Sequence, residues 1–222
     1  MSRWFRVMAG LALALMVVTG CARRPGSRVE VDASAMALAD PSAEVLIETA
    51  GDTDPDVRFW AILNLSRQAS RPGAEGNAAL DEAIPLLTQA LFEENANLRS
   101  TAAEALGRFG SRASSATRQL ARLLQANDVD SRREAAIALG RIGPAAETVV
   151  ASLSQATRDR EEEVRLAAID ALGRIGPPAR GAISALLQVI EDGDETMRRH
   201  ATDSLKQIDP AVARGLAMRP TS

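Results

Sequence analysis

The sequence predicts an all-α chain: an α-α superhelix of about five helix pairs, preceded by a signal peptide and a flexible tether. Three observations carry this. The phrase ALGRIG stands at 138–143 and again at 171–176, with ALGRFG at 105–110, so one phrase recurs every 33 residues. The chain is rich in Ala and Leu, only 3% aromatic and without Tyr, which favours helix over sheet. Residues 1–21 begin with a positive segment, continue with an apolar run and stop at the chain's single Cys.

Residues 1–20 are expected to be a signal peptide. Arg3 and Arg6 form its positive start, and Val7 to Val18 is an apolar run of twelve residues. That run is shorter than the roughly 20 residues a hydrocarbon layer requires and suits the core of an export signal. It ends at Val18-Thr19-Gly20-Cys21, which resembles the lipobox of bacterial lipoproteins. The resemblance implies cleavage before Cys21, lipid on its sulfur and, with Ala22 rather than Asp following, the outer membrane in preference to the inner one. An ordinary signal peptide with an incidental Cys is the alternative. Each buried methylene contributes roughly 0.8 kcal/mol, so two or three acyl chains anchor stably where one does not. Residues 21–40 are the tether, with Pro25 and Gly26 in its first half and a short helix expected from Ala33 to Leu38.

Residues 41–218 form the repeat domain and 219–222 a tail. The Leu of each phrase serves as an anchor: Leu65, Leu106, Leu139, Leu172 and Leu205. The last four are 33 apart; the first gap is 41, and SRPGAEGN (70–77) is the insertion. Ala61, Ala102, Ala135, Ala168 and Ala201 precede the anchors by four residues; Val57, Leu98, Ser131, Val164 and Met197 precede them by eight. Steps of four place these on one helical face. Asp54, Asn95, Asp128, Glu161 and Asp194 stand where a helix begins and can cap it, with Pro55 suited to a first turn. Gly110, Gly143 and Gly176 can turn left-handed and end the helix. Gly107, Gly140 and Gly173 lie inside it, at a cost of about 1 kcal/mol each relative to Ala, and so predict a close helix–helix approach. Between these helices, residues 42–51, 80–93, 116–126, 146–157 and 182–192 carry Leu, Ile or Val at three- and four-residue steps. Each repeat is therefore a helix A and a helix B joined by a short acidic turn.

The segment VRLAAIDALGRIG resembles the HEAT-repeat family, in particular the short HEAT-like repeats of phycobilin lyases. The likeness covers residues 41–210 and recurs five times. The first repeat lacks both glycines and the last reads SLKQID, as expected of terminal repeats whose outer face meets water. The resemblance implies that B helices line a concave inner face.

The inventory of reactive residues is small. One Cys and one His, His200, cannot build a zinc site of several His or Cys ligands, and no Ser or Cys nucleophile is patterned beside His200. No catalytic residue, metal ligand or cofactor site is assigned. Net charge is −3, or −5 without Arg3 and Arg6, which lacks the basic footprint of a nucleic-acid binder. Arg58, Arg99, Arg132, Arg165 and Arg198 recur seven residues before each anchor. They can reach the acidic turn of a neighbouring repeat, at residues such as Asp128 or Glu161, and are read as structural. Arg67, Arg108, Arg141 and Arg174 lie at helix C-termini, where cations suit the dipole.

The outward side of each B helix is the candidate partner surface. It carries Phe59 and Leu63, Ser100 and Glu104, Arg133 and Ile137, Leu166 and Asp170, then Arg199 and Asp203. Mixed apolar and charged residues suit a protein-binding groove, and aromatic anchors such as Phe59 and Trp60 are typical hot spots, unless the N-terminal helix caps them. The expected function is a non-enzymatic scaffold, bound to a membrane through its lipid, holding a protein partner and no small-molecule substrate. Chromophore attachment, as in phycobilin lyases, is the alternative; a HEAT-like DNA-repair glycosylase is opposed by the export signal and the acidic balance.

Overall fold

Short polar side chains cap four of the five long B helices. Asp54, Asn95, Asp128 and Asp194 accept backbone hydrogen bonds from Asp56, Asn97, Ser131 and Met197. Glu161 makes no cap; Asp159, two residues earlier, accepts from the Glu161 N–H at 2.9 Å instead. The computed structural model describes residues 41–74 and 77–217. The signal peptide, Cys21 and the helix expected at Ala33 to Leu38 lie outside them, as does the tail.

Five pairs follow in order. α1 (Ala43–Thr49) pairs with α2 (Pro55–Ala69), and α3 (Ala78–Asp81) is a single turn after the insertion. α4 (Ala83–Ala90) pairs with α5 (Ala96–Phe109), α6 (Thr117–Leu123) with α7 (Val129–Ile142), α8 (Val150–Ala156) with α9 (Glu162–Ile175), and α10 (Ile183–Asp192) with α11 (Glu195–Ile208). The described residues contain no strand. The anchors Leu65, Leu106, Leu139, Leu172 and Leu205 are all fully buried, and so are the five Ala residues one turn before them. They occupy equivalent places in one continuous core.

The A helices are shorter than the apolar periodicity suggests. Gly110–Ala116, Gly143–Val149 and Pro177–Ala182 are 3-10 turns, so α8 begins at Val150 rather than near Ala146. Gly110, Gly143 and Gly176 have φ of 57°, 72° and 74°, but ψ between −137° and −143°. This is not the left-handed helical cap expected from the sequence; it is a more extended region that only glycine enters readily. It lets the chain turn sharply without another helical turn. A further helix, α12 (Pro210–Ala217), closes the stack behind Asp209, whose carboxylate accepts from Ala211 N–H at 3.0 Å. Its Asp-Pro start repeats the signal at Asp54-Pro55.

The inner glycines are contact points. A methyl group built on Gly107 would lie 2.9 Å from Ala138 Cα, and one on Gly140 would lie 2.8 Å from Ala171 Cα. At Gly173 the neighbour is Ser204, whose hydroxyl donates to the Ile169 carbonyl at 2.9 Å. Ser66 takes the glycine position in the first repeat and is buried. B helices thus pack on one another at backbone distance, whereas successive A helices meet mainly through the 3-10 turns. B helices form the tightly packed side of the stack, the side that the HEAT-like resemblance implies is concave.

The first arginine ladder locks the repeats. Arg58, Arg99, Arg132 and Arg165 each donate through Nη1 to two carbonyls of their own A–B turn. The other end reaches the next repeat: Arg58 to Glu93, Arg99 to Asp128, and Arg132 to both oxygens of Asp159. The expected acidic partners are present for Arg58, Arg99 and Arg132, with Asp159 in the place proposed for Glu161; among the described residues Arg165 bonds only the carbonyls of its turn, and Arg198 does not continue the ladder. The insertion is fastened as well, because Arg112 donates to the Ala74 carbonyl at 3.0 Å and Asp81 at 2.8 Å, over the Phe109 ring.

Candidate protein-binding face

The concave face is built from three positions on each B helix, four residues apart. The first is Phe59, Ser100, Arg133, Leu166 and Arg199; the second is Leu63, Glu104, Ile137, Asp170 and Asp203; the third is Arg67, Arg108, Arg141, Arg174 and Gln207. Four-residue steps keep them on one side of the helix. Because the helices stack in register through their glycines, equivalent residues fall into rows across the repeats.

The structure brings the sequence-derived candidates onto this face in different degrees. Phe59 and Leu166 are half-buried and lean on the core, as Trp60 does. Leu63 and Ile137 are half-buried without closing over. Arg133 donates to Glu163 at 2.6 Å and pairs with Asp130 at 2.9 Å, and the Glu163 bond raises its pKa further. Glu104 pairs with Arg108 at 2.6 Å. Arg199 is exposed.

His200, which sequence reasoning leaves as a lone surface residue, is bonded through Nδ1 to Asp170 at 2.7 Å across the α9–α11 contact. Its offset of 30 residues equals that of Arg133 and Glu163. On this face a side chain reaches one three places short of its repeat equivalent, whereas the backbones meet two places short, at Gly107–Ala138 and Gly140–Ala171. That offset is a tertiary property that the repeat length of 33 does not reveal.

Burial and charge divide this face electrostatically. Burial pushes the Glu134 carboxyl up, against the pull of Arg133, and nearby Glu104 adds to the rise. Asp203 is held down by the bond from Lys206. At the rim, partial burial of Asp128 works upward, yet hydrogen bonds from Ser131 and Arg99 bring its pKa to about 2. Asp159 is lowered in the same way: burial opposes, and Arg132 and the Glu161 N–H prevail.

Two concavities mark the described surface. One, of about 320 Å³, opens between α9 and α11 and is lined by Asp170, Arg174, Arg199, His200 and Asp203 among others. The other, about 450 Å³, lies on the opposite side between α6 and α8. Both are open and polar. Among the described residues no three His, Cys, Asp or Glu side chains gather as a metal site. The face offers rows of contacts, with one open, polar concavity at its α9–α11 end.

The comparisons agree with this geometry. The family model for HEAT repeats matches residues 43–140, 84–155 and 150–217. No curated protein sequence matches the chain. Among solved structures, an engineered protein superposes with a TM-score of 0.63 at 22% identity, over 79% of this chain and 86% of its own. A designed armadillo repeat protein in complex with the peptide (KR)4 gives 0.62 at 16% identity, over 93% and 95%. The CpcE–CpcF complex of phycocyanin lyase from Nostoc gives 0.59 at 22% identity, over 90% and 73%. At these identities the structural likenesses establish the fold alone. The matches of the family model together run from residue 43 to 217, through all five helix pairs: this protein belongs to the HEAT-repeat family.

Proposed function

We propose that this protein is a membrane-anchored scaffold that holds a protein partner on its concave face and catalyses no reaction. The observation that carries the reading is the face itself. Half-buried Phe59, Leu63, Ile137 and Leu166 alternate there with Glu104, Arg133, Asp170 and Arg199 along a continuous open surface. Such a surface suits an extended or helical segment of another protein better than a small molecule, which is held in an enclosed apolar pocket. A repeat fold of this type accommodates a peptide in the designed armadillo protein solved with (KR)4. The anchor is proposed from Cys21 and the signal-like residues before it, with the outer membrane as its site.

Photoreactive residues placed at Leu63, Ile137 and Leu166 in intact cells test the scaffold. A discrete crosslinked partner is expected from these sites and not from Ser152 on the opposite side. Crosslinking from Ser152 alone would count against the concave face. Cys21→Ser should abolish incorporation of labelled palmitate and release the protein from the membrane fraction.

The likeness to the CpcE–CpcF lyase complex favours a second reading, attachment or chaperoning of a chromophore. Incubation with bilin and an apoprotein, followed by absorbance, separates the two.

A further inference from the structure

Four carboxylates on or beside the concave face already have partners within the chain. Glu104 pairs with Arg108 at 2.6 Å, Glu134 with Arg133 at 3.4 Å, Asp170 with His200 at 2.7 Å and Asp203 with Lys206 at 2.8 Å. Four arginines are left over. Arg67, Arg141, Arg174 and Arg199 are exposed and make no hydrogen bond or close ion pair with a described residue; Arg141 feels Glu134, and Arg199 feels Asp203, only at longer range. A guanidinium stays charged at any physiological pH, so these arginines set a line of fixed positive charge along the face although the whole chain is acidic.

These cations are placed, not scattered. The Cδ of Arg141 lies across Gly107, and that of Arg174 lies across Gly140, 3.3 and 3.4 Å from where a Cβ would stand. The glycines that bring the backbones together therefore also seat the arginine stems of the next repeat. The guanidinium groups continue the row begun by Arg67 and Arg108. Packed helices sit about 8–10 Å apart and an extended strand advances about 3.3 Å per residue, so about every third residue of an extended chain meets a new arginine. At the end of the row Arg174 and Arg199 line the 320 Å³ concavity, whose two carboxylates, Asp170 and Asp203, are those paired with His200 and Lys206.

We propose that the concave face takes an extended acidic peptide segment of the partner. Its carboxylates are spaced along Arg67, Arg108, Arg141 and Arg174, and one seats between Arg174 and Arg199 in the concavity between α9 and α11. Arginine suits this role because its planar fork matches a carboxylate with two parallel hydrogen bonds. The inference rests on the scaffold reading and specifies its partner's chemistry. A basic peptide such as that bound by the designed armadillo protein would be repelled by the same row.

The test uses the full chain in detergent and fluorescence anisotropy of a rhodamine-labelled octapeptide alternating Asp and Glu. Octapeptides alternating Lys with Arg and Gly with Ser are the controls. The acidic peptide should bind at least about tenfold more tightly than either control, and lose affinity as salt screens the charges. The double variant Arg141→Gln with Arg174→Gln keeps part of each stem over the glycines and should weaken binding about tenfold. Arg118→Gln with Arg122→Gln, on the opposite side, should leave it unchanged; thermal melting of both variants verifies folding. Acidic peptide binding no tighter than Gly-Ser overturns the proposal, as does equal loss in the two double variants. Crosslinks at Leu63, Ile137 and Leu166 without acidic-peptide binding would overturn this inference and leave the scaffold standing. Their absence would remove the scaffold itself.

Discussion

Gly140 and Ala171 touch through their backbones: a methyl group on Gly140 would lie 2.8 Å from the Ala171 Cα. No side-chain rotation relieves such a contact. Gly140→Ala gains about 1 kcal/mol of helix propensity but forces apart two helices in a packed core, where overpacking costs about 1–3 kcal/mol. The expected outcome is a net destabilisation of up to about 2 kcal/mol by urea denaturation. Gly181→Ala has open space around it and should be neutral or slightly stabilising, so equal effects at the two positions would contradict the close-contact account.

Gly143 makes a different demand. Its φ of 72° with ψ of −139° has no clash to relieve, the nearest atom beyond its own neighbours being the Arg174 carbonyl at 4.0 Å. Gly143→Ala should cost about 1–3 kcal/mol through backbone strain alone. Urea denaturation checks it: a Gly143→Ala protein as stable as the wild type would contradict the strain account.

Arg132 is the most buried member of the ladder, 6% exposed, and its partner Asp159 is 13% exposed. Arg132→Ala strands that carboxylate and the carbonyls of Ala126 and Asn127, for an expected loss of about 3 kcal/mol. Arg108→Ala, at a third-exposed pair, should cost under about 1 kcal/mol. Thermal melting distinguishes them, and similar midpoints would count against the interlocking role.

Asp128 sets a pH dependence. Its pKa is near 3.9 in an unfolded chain and about 2 in the fold. A depressed folded value contributes stability above the unfolded one and loses it as pH falls through the folded one. The stability gap between wild type and Asp128→Asn should therefore hold above about pH 5 and close between about pH 4 and 2. A gap that persists unchanged at about pH 2 would show that the Arg99 and Ser131 bonds do not depend on the charge.

Arg112 is the fastening of the insertion. Arg112→Ala removes the bonds to Ala74 and Asp81 and should raise the rate of proteolytic cleavage within 70–77 several-fold, leaving the rest of the stack resistant. Limited proteolysis with mass spectrometry reads it.

The amino-acid sequence by itself determined the repeat, its length, the caps at Asp54, Asn95, Asp128 and Asp194, and the burial of the five anchor leucines. These are local or periodic properties, set by side-chain chemistry and helical spacing. It also foretold that Gly107, Gly140 and Gly173 mark close approaches. Only the tertiary structure decided that Asp159, not Glu161, receives Arg132, that His200 bonds to Asp170, and that Arg141 and Arg174 lie over the preceding glycines. Each depends on the sliding offset between neighbouring B helices, fixed by how Gly and Ala surfaces nest. A repeat of 33 residues is compatible with several such offsets, and the packing of the backbones selects one.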